Sequence, residues 1–244
     1  MSSKVLKPYK EEHDYSYTSG AYATIELLKT RPDVVRSVYI HTKYCGRADV
    51  VGLCRDNGVP VIYDDKAFTR INQKENSYIM LGVFSKYNCR LRNDRPHIVL
   101  VNPSDMGNTG TIIRTMVGLN VIDLALIAPA ADVFNPKTVR ASMGALFHVR
   151  FRYFPSFDAY RDEFPDHVCF PFTPEGEIPL NRDNCPKAAL FSLLFGNEAS
   201  GLPDHCKTSG TAIKIPQSPL VDSLNLSVAA GIGIYIFAEK NKLI

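Results

Sequence analysis

Loop segments follow apolar runs at three points in the second half of the sequence, and the first two of these segments contain glycine. The first, residues 102–110, reads Asn-Pro-Ser-Asp-Met-Gly-Asn-Thr-Gly and leads into a helix that carries Arg114. The second, residues 196–201, reads Gly-Asn-Glu-Ala-Ser-Gly, and the third, residues 215–222, leads into a helix predicted to begin at Ser223. Because ligands of open α/β sheets bind beyond the carboxyl ends of the strands, this pattern predicts a ligand site built by three loops.

The first loop offers hydrogen-bonding groups and a cation. Its Gly and Asn residues permit tight backbone turns close to a ligand. Arg114 lies about one helical turn after Gly110, so its guanidinium can reach the same mouth. Taken alone, an ordinary turn with a helix cap and a surface arginine explains the segment better, because Asn and Asp dominate turns.

The other two loops add a carboxylate, a hydroxyl and an amide. Glu198 stands at a predicted strand mouth, although a solvated glycine turn explains that segment better when it is taken alone. Ser223 is a good N-cap, and Asn225 lies in the first turn of the following helix, facing whatever occupies that mouth. Capping by itself accounts for Ser223, so no single loop defines the chemistry.

Common signatures of phosphate, dinucleotide and metal sites do not occur in the sequence. There is no G-x-x-x-x-G-K-[ST] string, and Gly231-x-Gly233 lies inside a predicted helix instead of after a strand. His41 with Cys45, and His205 with Cys206, lack a second ligand pair, so we expect no metal. Dispersed thiols are typical of a reducing compartment. The six cysteines, none of them in a C-x-x-C pair, are Cys45, Cys54, Cys89, Cys169, Cys185 and Cys206.

The elements that must position these loops alternate between helices and strands, which predicts an α/β fold. In the first part of the chain, apolar spacing predicts a helix from Ala21 that ends before Pro32, a helix over 49–56, and strands over 34–40, 59–63 and 78–84. In the second part, longer apolar runs predict strands buried on both faces, as in a parallel sheet, over 97–101, 121–128, 168–171 and 188–195. Helices are predicted there over 110–119, 136–143, 157–164 and 223–240.

The charge is divided unevenly between the two parts. Residues 1–95 carry 16 Lys and Arg against 11 Asp and Glu, whereas residues 96–244 carry 12 against 14. The basic stretch 86–95 is the predicted linker between a domain over 1–92 and a domain over 97–244. A basic first domain suits a polyanionic partner, although chance explains an excess of this size equally well.

The 244-residue chain has ordinary apolar content and low net charge, which excludes disordered and fibrous classes. Its longest apolar stretch, 226–238, is shorter than the roughly 20 residues of a membrane helix. The first 15 residues contain no apolar core typical of a signal peptide. We therefore expect a soluble, cytoplasmic protein with no membrane partner.

Together the three loops resemble a known enzyme family. The strings N-x-G-x-I-x-R-T at 108–115, G-N-E-x-x-G-L at 196–202 and I-P…S-L-N-x-S-V-A within 215–229 resemble motifs 1, 2 and 3 of the SpoU-type RNA ribose 2′-O-methyltransferases, a branch of the SPOUT superfamily. Residues 135–147 resemble the intermediate motif of that family. The match spans 97–242, and the N-terminal 90 residues resemble, more loosely, a small ribosomal-protein-like α/β domain that holds RNA.

The resemblance implies an α/β fold whose C-terminal parallel-sheet domain contains a deep trefoil knot, preceded by the small α/β domain. It also implies an obligate homodimer, S-adenosylmethionine as the cofactor, and methyl transfer to a ribose 2′-hydroxyl of tRNA or rRNA. By position in the motifs, the implied cofactor contacts are Gly196, Ile215 and Leu224. The implied catalytic or active-site residues are Asn108, Arg114, Glu198, Ser223 and Asn225.

The implied reaction needs in-line positioning and help with the proton of a poorly nucleophilic hydroxyl. The resemblance assigns activation of the hydroxyl to Arg114, with Glu198 able to orient it. A guanidinium with a pKa of about 12.5–13.8 is an unusual general base. Electrostatic stabilisation of the developing alkoxide is at least as plausible, so both roles stay open.

Basic residues of the predicted linker are candidates for RNA contact, with Tyr87 as a stacking partner. A solvated charged linker explains them equally well. Two other functions stay open: a noncatalytic RNA-binding protein on the same scaffold, and methylation of an RNA base. The candidate RNA-binding residues are Lys86, Arg90, Arg92 and Arg95.

Overall fold

The computed structural model describes residues 6–44, 46–71 and 79–244. Cys45 and the first residue of the strand predicted over 78–84 lie outside these residues. The chain divides into two compact units: Met1–Tyr87 with Asp132–His148 (unit 1), and Asn88–Ala131 with Val149–Ile244 (unit 2).

Helices and strands alternate through both units, as the apolar spacing predicts. The elements up to residue 101 are β1 (Tyr15–Tyr17), α1 (Ala21–Thr30), β2 (Val35–Ile40), α2 (Arg47–Asp56), β3 (Val61–Ile62), α3 (Asp65–Ile71), β4 (Met80–Ser85) and β5 (His97–Val101). The later elements are α4 (Met106–Gly118), β6 (Asp123–Ile127), α5 (Pro136–Ala141), β7 (Arg150–Phe154), α6 (Phe157–Glu163), β8 (Val168–Pro171), β9 (Ile178–Pro179), β10 (Phe191–Phe195), α7 (Asp204–Lys207), β11 (Ile213–Lys214) and α8 (Leu226–Lys240).

Unit 1 is built on a mixed sheet in the order β1-β4-β2-β3. β2 pairs parallel with β3, whereas β4 runs antiparallel to β1 and β2. Helix α1 buries Leu27 and Leu28 completely and ends just before Pro32, which cannot continue a helix. Gly58 follows α2 with φ of +67°, a left-handed conformation that closes a helix without steric cost for glycine.

Unit 2 is built on a parallel sheet in the order β7-β6-β5-β10-β8. Every residue of β5, β6 and β10 is buried, which explains their continuous apolar runs. The chain builds outward from β5 through β6 to β7, and then builds the other side with β8 and β10. The strand order therefore reverses between β5 and β10, so this pair is the topological switch point of the sheet.

The predicted division into 1–92 and 97–244 differs from the observed units. Residues 132–148, which include the segment resembling the intermediate motif, belong to unit 1. Phe134 and Phe147 pack their rings against Phe84 of β4, so this segment completes the apolar core of that unit. The predicted linker is also divided, because Lys86 and Tyr87 belong to unit 1 and residues 88–95 to unit 2.

Several short elements were not expected from the sequence. Strand β7 reads Arg-Phe-Arg-Tyr-Phe and lies at the edge of its sheet, where its polar side chains break the apolar run. β1, β9, β11, α3 and α7 are too short for a clear period. Helix α4 begins four residues before the predicted 110, and α8 begins three residues after the predicted 223. Among the described residues, no helix is long and apolar enough to cross a membrane.

A buried chain of hydrogen bonds lies at the amino ends of the parallel strands of unit 2. His97 Nε2 lies 2.7 Å from the carbonyl oxygen of Arg92, so it must donate, and His97 Nδ1 accepts from the hydroxyl of Tyr160 at 2.9 Å. Ser192 Oγ lies 2.5 Å from the Tyr160 oxygen and 3.0 Å from His167 Nδ1. Burial, and then the neighbouring His167, lower the pKa of His97 to about 4.

Stability should therefore fall as the pH falls from about 6.5 towards 4. Between these values the unfolded chain, in which histidine has its ordinary pKa of about 6.5, binds more protons than the folded chain. We expect the urea midpoint to decrease over this range, and His97→Gln to flatten that slope. Exposed His205 provides the matched control, and an equal slope in His97→Gln and His205→Gln would contradict this prediction.

Candidate functional site

The first and second predicted loops meet at the carboxyl edge of the sheet because β5 and β10 are adjacent and parallel. Residues 102–105 follow β5, and residues 196–202 follow β10. The third loop, residues 215–225, joins β11 to α8. All three belong to unit 2, and they meet at the switch point, where α/β sheets bind their ligands.

The carboxylate of Glu198 joins the second loop to the first. Its Oε2 accepts from the backbone N–H of Ser104 at 3.1 Å and from the Ser104 hydroxyl at 2.8 Å. Its Oε1 accepts from the backbone N–H of Asp105 at 3.1 Å and from Asn108 Nδ2 at 3.3 Å. Partial burial raises the pKa of Glu198, but hydrogen bonds from backbone N–H groups and from the Ser104 and Asn108 side chains outweigh burial and lower it.

The same carboxylate sets the orientation of two side-chain amides. Because ionised Glu198 only accepts, Asn108 must present its Nδ2 to the carboxylate and its Oδ1 to the other side. There, Asn225 Nδ2 donates to Asn108 Oδ1 at 3.1 Å. Asn225 Oδ1 in turn caps α8 by accepting from the Ser227 N–H at 2.9 Å. Glu198, Asn108 and Asn225, which we call the amide relay, thus connect all three loops.

The second loop is held rigid by the side chain of Asn197 and by close backbone packing. Asn197 Nδ2 donates to the carbonyl oxygen of Asn102 at 2.8 Å, and Asn197 Oδ1 accepts from the N–H groups of Ala199 and Ser200. A Cβ atom on Gly196 would lie 2.2 Å from the carbonyl carbon of Gly201, so any other residue here would displace backbone. This explains why a glycine opens the loop.

A cavity of about 370 Å³ opens beside these loops, within the size range of small-ligand sites. All three predicted cofactor-binding residues, Gly196, Ile215 and Leu224, line it, together with Glu198 and Ser223. Apolar side chains and loop backbone make up much of the wall. The charged residues of the wall are Glu175, Glu198, Asp222 and Lys207. Three carboxylates against one ammonium make the cavity suited to a ligand that carries positive charge.

Arg114 lies on the exposed face of α4, with Gly107 and Thr111, and does not line the cavity. The suggested orientation of Arg114 by Glu198 is not observed: the hydrogen bonds of that carboxylate go to residues 104–108 and 197. Within the part of the chain that the structure describes, the guanidinium makes no hydrogen bond or ion pair. It is therefore available to a group from outside unit 2.

The structure separates the four candidate RNA-binding residues. Lys86 lies within unit 1, where its ammonium donates to the carbonyl oxygen of Glu11 at 2.7 Å and pairs with Asp132. Arg92 pairs with Asp94 through two hydrogen bonds. Only Arg90 and Arg95 are exposed and make no ion pair among the described residues.

The suggested stacking partner Tyr87 is also engaged within unit 1. Its hydroxyl donates to the carbonyl oxygen of Leu146 at 3.3 Å, and the guanidinium of Arg31 lies 4.2 Å above its ring. Phe134 contacts the same ring edge-on. The ring face that holds Arg31 is therefore not free for a base, and stacking of a base on Tyr87 stays a prediction.

Sequence reasoning missed three residues that build the site. Ser104 and Asn197 hold the first two loops together, and Asp105 caps α4 by accepting from the Asn108 N–H at 2.6 Å. The role of Asp105 could have been predicted from the sequence, since Asp is a favoured N-cap residue before a helix. The role of Ser104 could not, because its partner Glu198 lies 94 residues away in the sequence. Among the described residues, no group of three His, Cys, Asp or Glu side chains could hold a metal ion.

Residues 95–235 match the model of a protein family described as the SpoU rRNA Methylase family. The chain is 34% identical over 141 residues to Ribosomal RNA small subunit methyltransferase G 2 of Syntrophobacter fumaroxidans, with 58% of this chain and 27% of that protein covered. It is 26% identical over 221 residues to the 23S rRNA (guanosine(2553)-2′-O)-methyltransferase RlmP of Bacillus subtilis, with 88% and 85% covered. The chain thus spans about a quarter of the first relative and most of the second.

The fold is similar to that of the SpoU methyltransferase AviRb from Streptomyces viridochromogenes, solved in complex with AdoMet. The TM-score is 0.81 with 21% sequence identity, and the match covers 93% of this chain and 90% of that one. At this identity the similarity concerns the fold.

The hydrogen bonds of the amide relay predict how replacement of Glu198 changes the stability of the protein. Glu198→Gln should destabilise the protein by about 1–3 kcal/mol, because an amide offers one acceptor and turns N–H donors towards the backbone N–H groups of Ser104 or Asp105. Chemical denaturation measures the loss, and hydrogen exchange at the amides of Ser104 and Asp105 locates it.

Glu175→Gln is the matched control, since Glu175 lines the same cavity and is exposed. Equal stability and equal exchange rates in the two variants would show that the Glu198 carboxylate does not hold the loops.

Proposed function

The chain belongs to the SpoU rRNA methylase family, and on that premise we propose that it transfers a methyl group from S-adenosylmethionine to a ribose 2′-hydroxyl of rRNA or tRNA. The observation that carries this proposal is the cavity at the switch point, bounded by the three motif loops and tied together by the amide relay. The names of relatives support the reaction, since they include 2′-O-methyltransferases of 23S rRNA and of tRNA cytidine 34.

The cavity fits S-adenosylmethionine in size and charge. Its volume suits a ligand of this size, and loop backbone at Gly196 and Ile215 offers N–H and C=O groups to an adenosine. The surplus of carboxylates over Lys207 suits a cofactor with a positively charged sulfonium. We propose that Gly196, Ile215 and Leu224 contact the cofactor.

In the proposed reaction the cofactor supplies an activated methyl group, the proton of the ribose hydroxyl leaves to water, and the protein positions the hydroxyl oxygen and stabilises its developing negative charge. The amide relay leaves one N–H each of Asn225 Nδ2 and Asn108 Nδ2 for an outside acceptor, because the other donates within the relay. N–H donors suit a hydroxyl oxygen that becomes negative during transfer. Ser223, at the cavity wall, adds a hydroxyl for the same task.

We assign Arg114 to the electrostatic stabilisation of that oxygen. Its exposed guanidinium, without a partner among the described residues, is free to meet an RNA phosphate or the ribose. Glu198, by contrast, acts on the reaction only through Asn108 and Asn225. Its two oxygens are occupied by four hydrogen bonds from residues 104–108, so it has little capacity to take a proton from the substrate.

A trefoil knot and a homodimer complete the proposal. Close backbone packing supports the knot: a Cβ on Gly210 would lie 2.0 Å from the carbonyl oxygen of Cys169, so the chain passes itself with no room for a side chain. Exposed apolar side chains on α8 support the dimer, since Val228 is 50% and Tyr235 45% exposed, two helical turns apart on the same face. The cytoplasm is the proposed location.

The reaction is tested by incubating the protein with S-adenosylmethionine labelled in the methyl group and with bacterial rRNA and tRNA. A methylated ribose blocks alkaline cleavage, so we expect the label in dinucleotides that resist alkali. Label recovered in single nucleotides would indicate base methylation. RNA binding without transferred label would indicate a noncatalytic RNA-binding protein.

Replacement of Arg114 should separate chemistry from cofactor binding. Arg114→Ala should abolish methyl transfer but leave the affinity for S-adenosylmethionine nearly unchanged, because Arg114 is outside the cavity wall. Calorimetric titration measures the affinity, and Arg114→Lys, which keeps the charge, should retain part of the transfer rate. A large loss of cofactor affinity in Arg114→Ala would contradict the role.

A further inference from the structure

Five of the eight arginines of unit 2 line neighbouring surface clefts. Three of them precede β5 along the chain, and two come from the edge strand β7. The β7 pair was not apparent in the sequence, where it stands more than fifty residues from the others. The five residues are Arg90, Arg92, Arg95, Arg150 and Arg152, which we call the arginine groove.

Three neighbouring clefts share their walls along this groove. Arg90 and Arg152 line the first, and Glu163 is common to the first and the second. Arg92 is common to the second and the third, which also contains Arg95 and Arg150. The three clefts therefore lie side by side along residues 88–96, with the side chains of Glu163 and Arg92 as their shared walls. Within the described part of the chain, no lysine lines any of the three.

Carboxylates hold two of the guanidiniums in fixed orientations. Fully buried Asp123 accepts from Arg150 Nε at 2.7 Å and from Arg150 Nη2 at 2.5 Å, and it also accepts from the backbone N–H of Arg92 at 3.0 Å. Asp94 binds Nε and Nη2 of Arg92 in the same way. Both arginines therefore keep Nη1, with two N–H donors, for a further acceptor.

The groove keeps a positive surplus after these pairs are counted. Its three carboxylates, Asp94, Asp123 and Glu163, face five guanidiniums. Arg90 and Arg95 are exposed and have no ion-pair partner among the described residues. Arg152 pairs with Glu163, but both side chains are about 40% exposed, so an incoming anion can compete with this contact.

These features favour a polymer of phosphates as the ligand. A guanidinium fork matches the oxygens of a phosphate, and a row of forks matches a phosphodiester chain. Among the described residues, Phe164 is the one aromatic ring in the three walls, and it is 4% exposed, so these walls offer no described ring for base stacking. Contacts of this kind position a nucleic acid without reading its sequence.

We propose that the arginine groove binds the phosphate backbone of the RNA substrate at a distance from the methylated ribose. The inference rests on the proposed function for the identity of the polyanion. The amide relay lies at the carboxyl edge of the sheet, and the five residues of β5 separate the two edges by about 16 Å. The groove therefore holds nucleotides that flank the target and orients the RNA on unit 2.

The test replaces the three groove arginines that are not anchored by Asp94 or Asp123. Arg90→Gln/Arg95→Gln/Arg152→Gln removes three positive charges without leaving a buried carboxylate unpaired. Its affinity for a transcript of bacterial 23S rRNA is measured over a series of salt concentrations. We expect the Kd to rise at least about tenfold. The slope of log Kd against log salt should decrease by about 2–3, because each lost phosphate contact lowers that slope by about 0.7–0.9.

The matched control is Arg182→Gln/Lys187→Gln/Lys242→Gln, which removes three exposed charges of unit 2 outside the groove. It should keep the RNA affinity and the salt slope of the unaltered protein. Equal Kd and slope in the two triple variants would overturn the inference. So would binding of polyglutamate to the groove as strong as binding of RNA, since that would indicate an acidic protein partner.

The two proposals fail separately. If the unaltered protein methylates RNA while the groove variant binds RNA as tightly as the control, the groove assignment alone is wrong. If the groove variant loses RNA binding but the unaltered protein transfers no methyl group, the proposed reaction alone is wrong. Calorimetric affinity for S-adenosylmethionine should be equal in all three proteins, since no groove residue lines the cofactor cavity.

Discussion

The hydrogen bonds of the Glu198 carboxylate are the interaction on which the rest of the site depends. Two backbone N–H groups, a hydroxyl and an amide from residues 104–108 converge on its two oxygens. Because a carboxylate only accepts, this one group fixes the conformation of the first loop and the direction of the amides of Asn108 and Asn225. The wall of the cavity and the capping of α8 follow from that direction.

In unit 2, groups of different charge lie at the two edges of the parallel sheet, about one strand length apart. Loops at the carboxyl edge are held by amide and carboxylate groups and surround a cavity with a surplus of negative charge. At the amino edge, fully buried Asp123 pairs with the partly exposed Arg150 of the arginine groove. A cationic cofactor and a polyanionic substrate would therefore meet opposite potentials at opposite edges, which reduces competition between the two ligands.

Local pattern was enough to predict the strands and loops that carry the site. Continuous apolar runs marked β5 and β10 because both faces of these strands are buried. The polar loops after them could be predicted because each begins where such an apolar run ends.

Contacts between distant parts of the chain could not be predicted. Ser104, the partner of Glu198, is a common loop residue, and the contact spans 94 positions. The charge of Lys86 and the ring of Tyr87 suggested RNA binding, but tertiary contacts within unit 1 engage both side chains. β7 was missed because an edge strand alternates polar and apolar residues over only five positions.

The most direct test of the central claim is a map of ribose methylation in total RNA from cells with and without this protein. One or a few 2′-O-methyl groups in rRNA or tRNA should disappear when the protein is absent and return with the unaltered protein. They should not return with the Arg114→Ala variant. An unchanged ribose map, or loss of a base methyl group alone, would contradict ribose 2′-O-methylation by this protein.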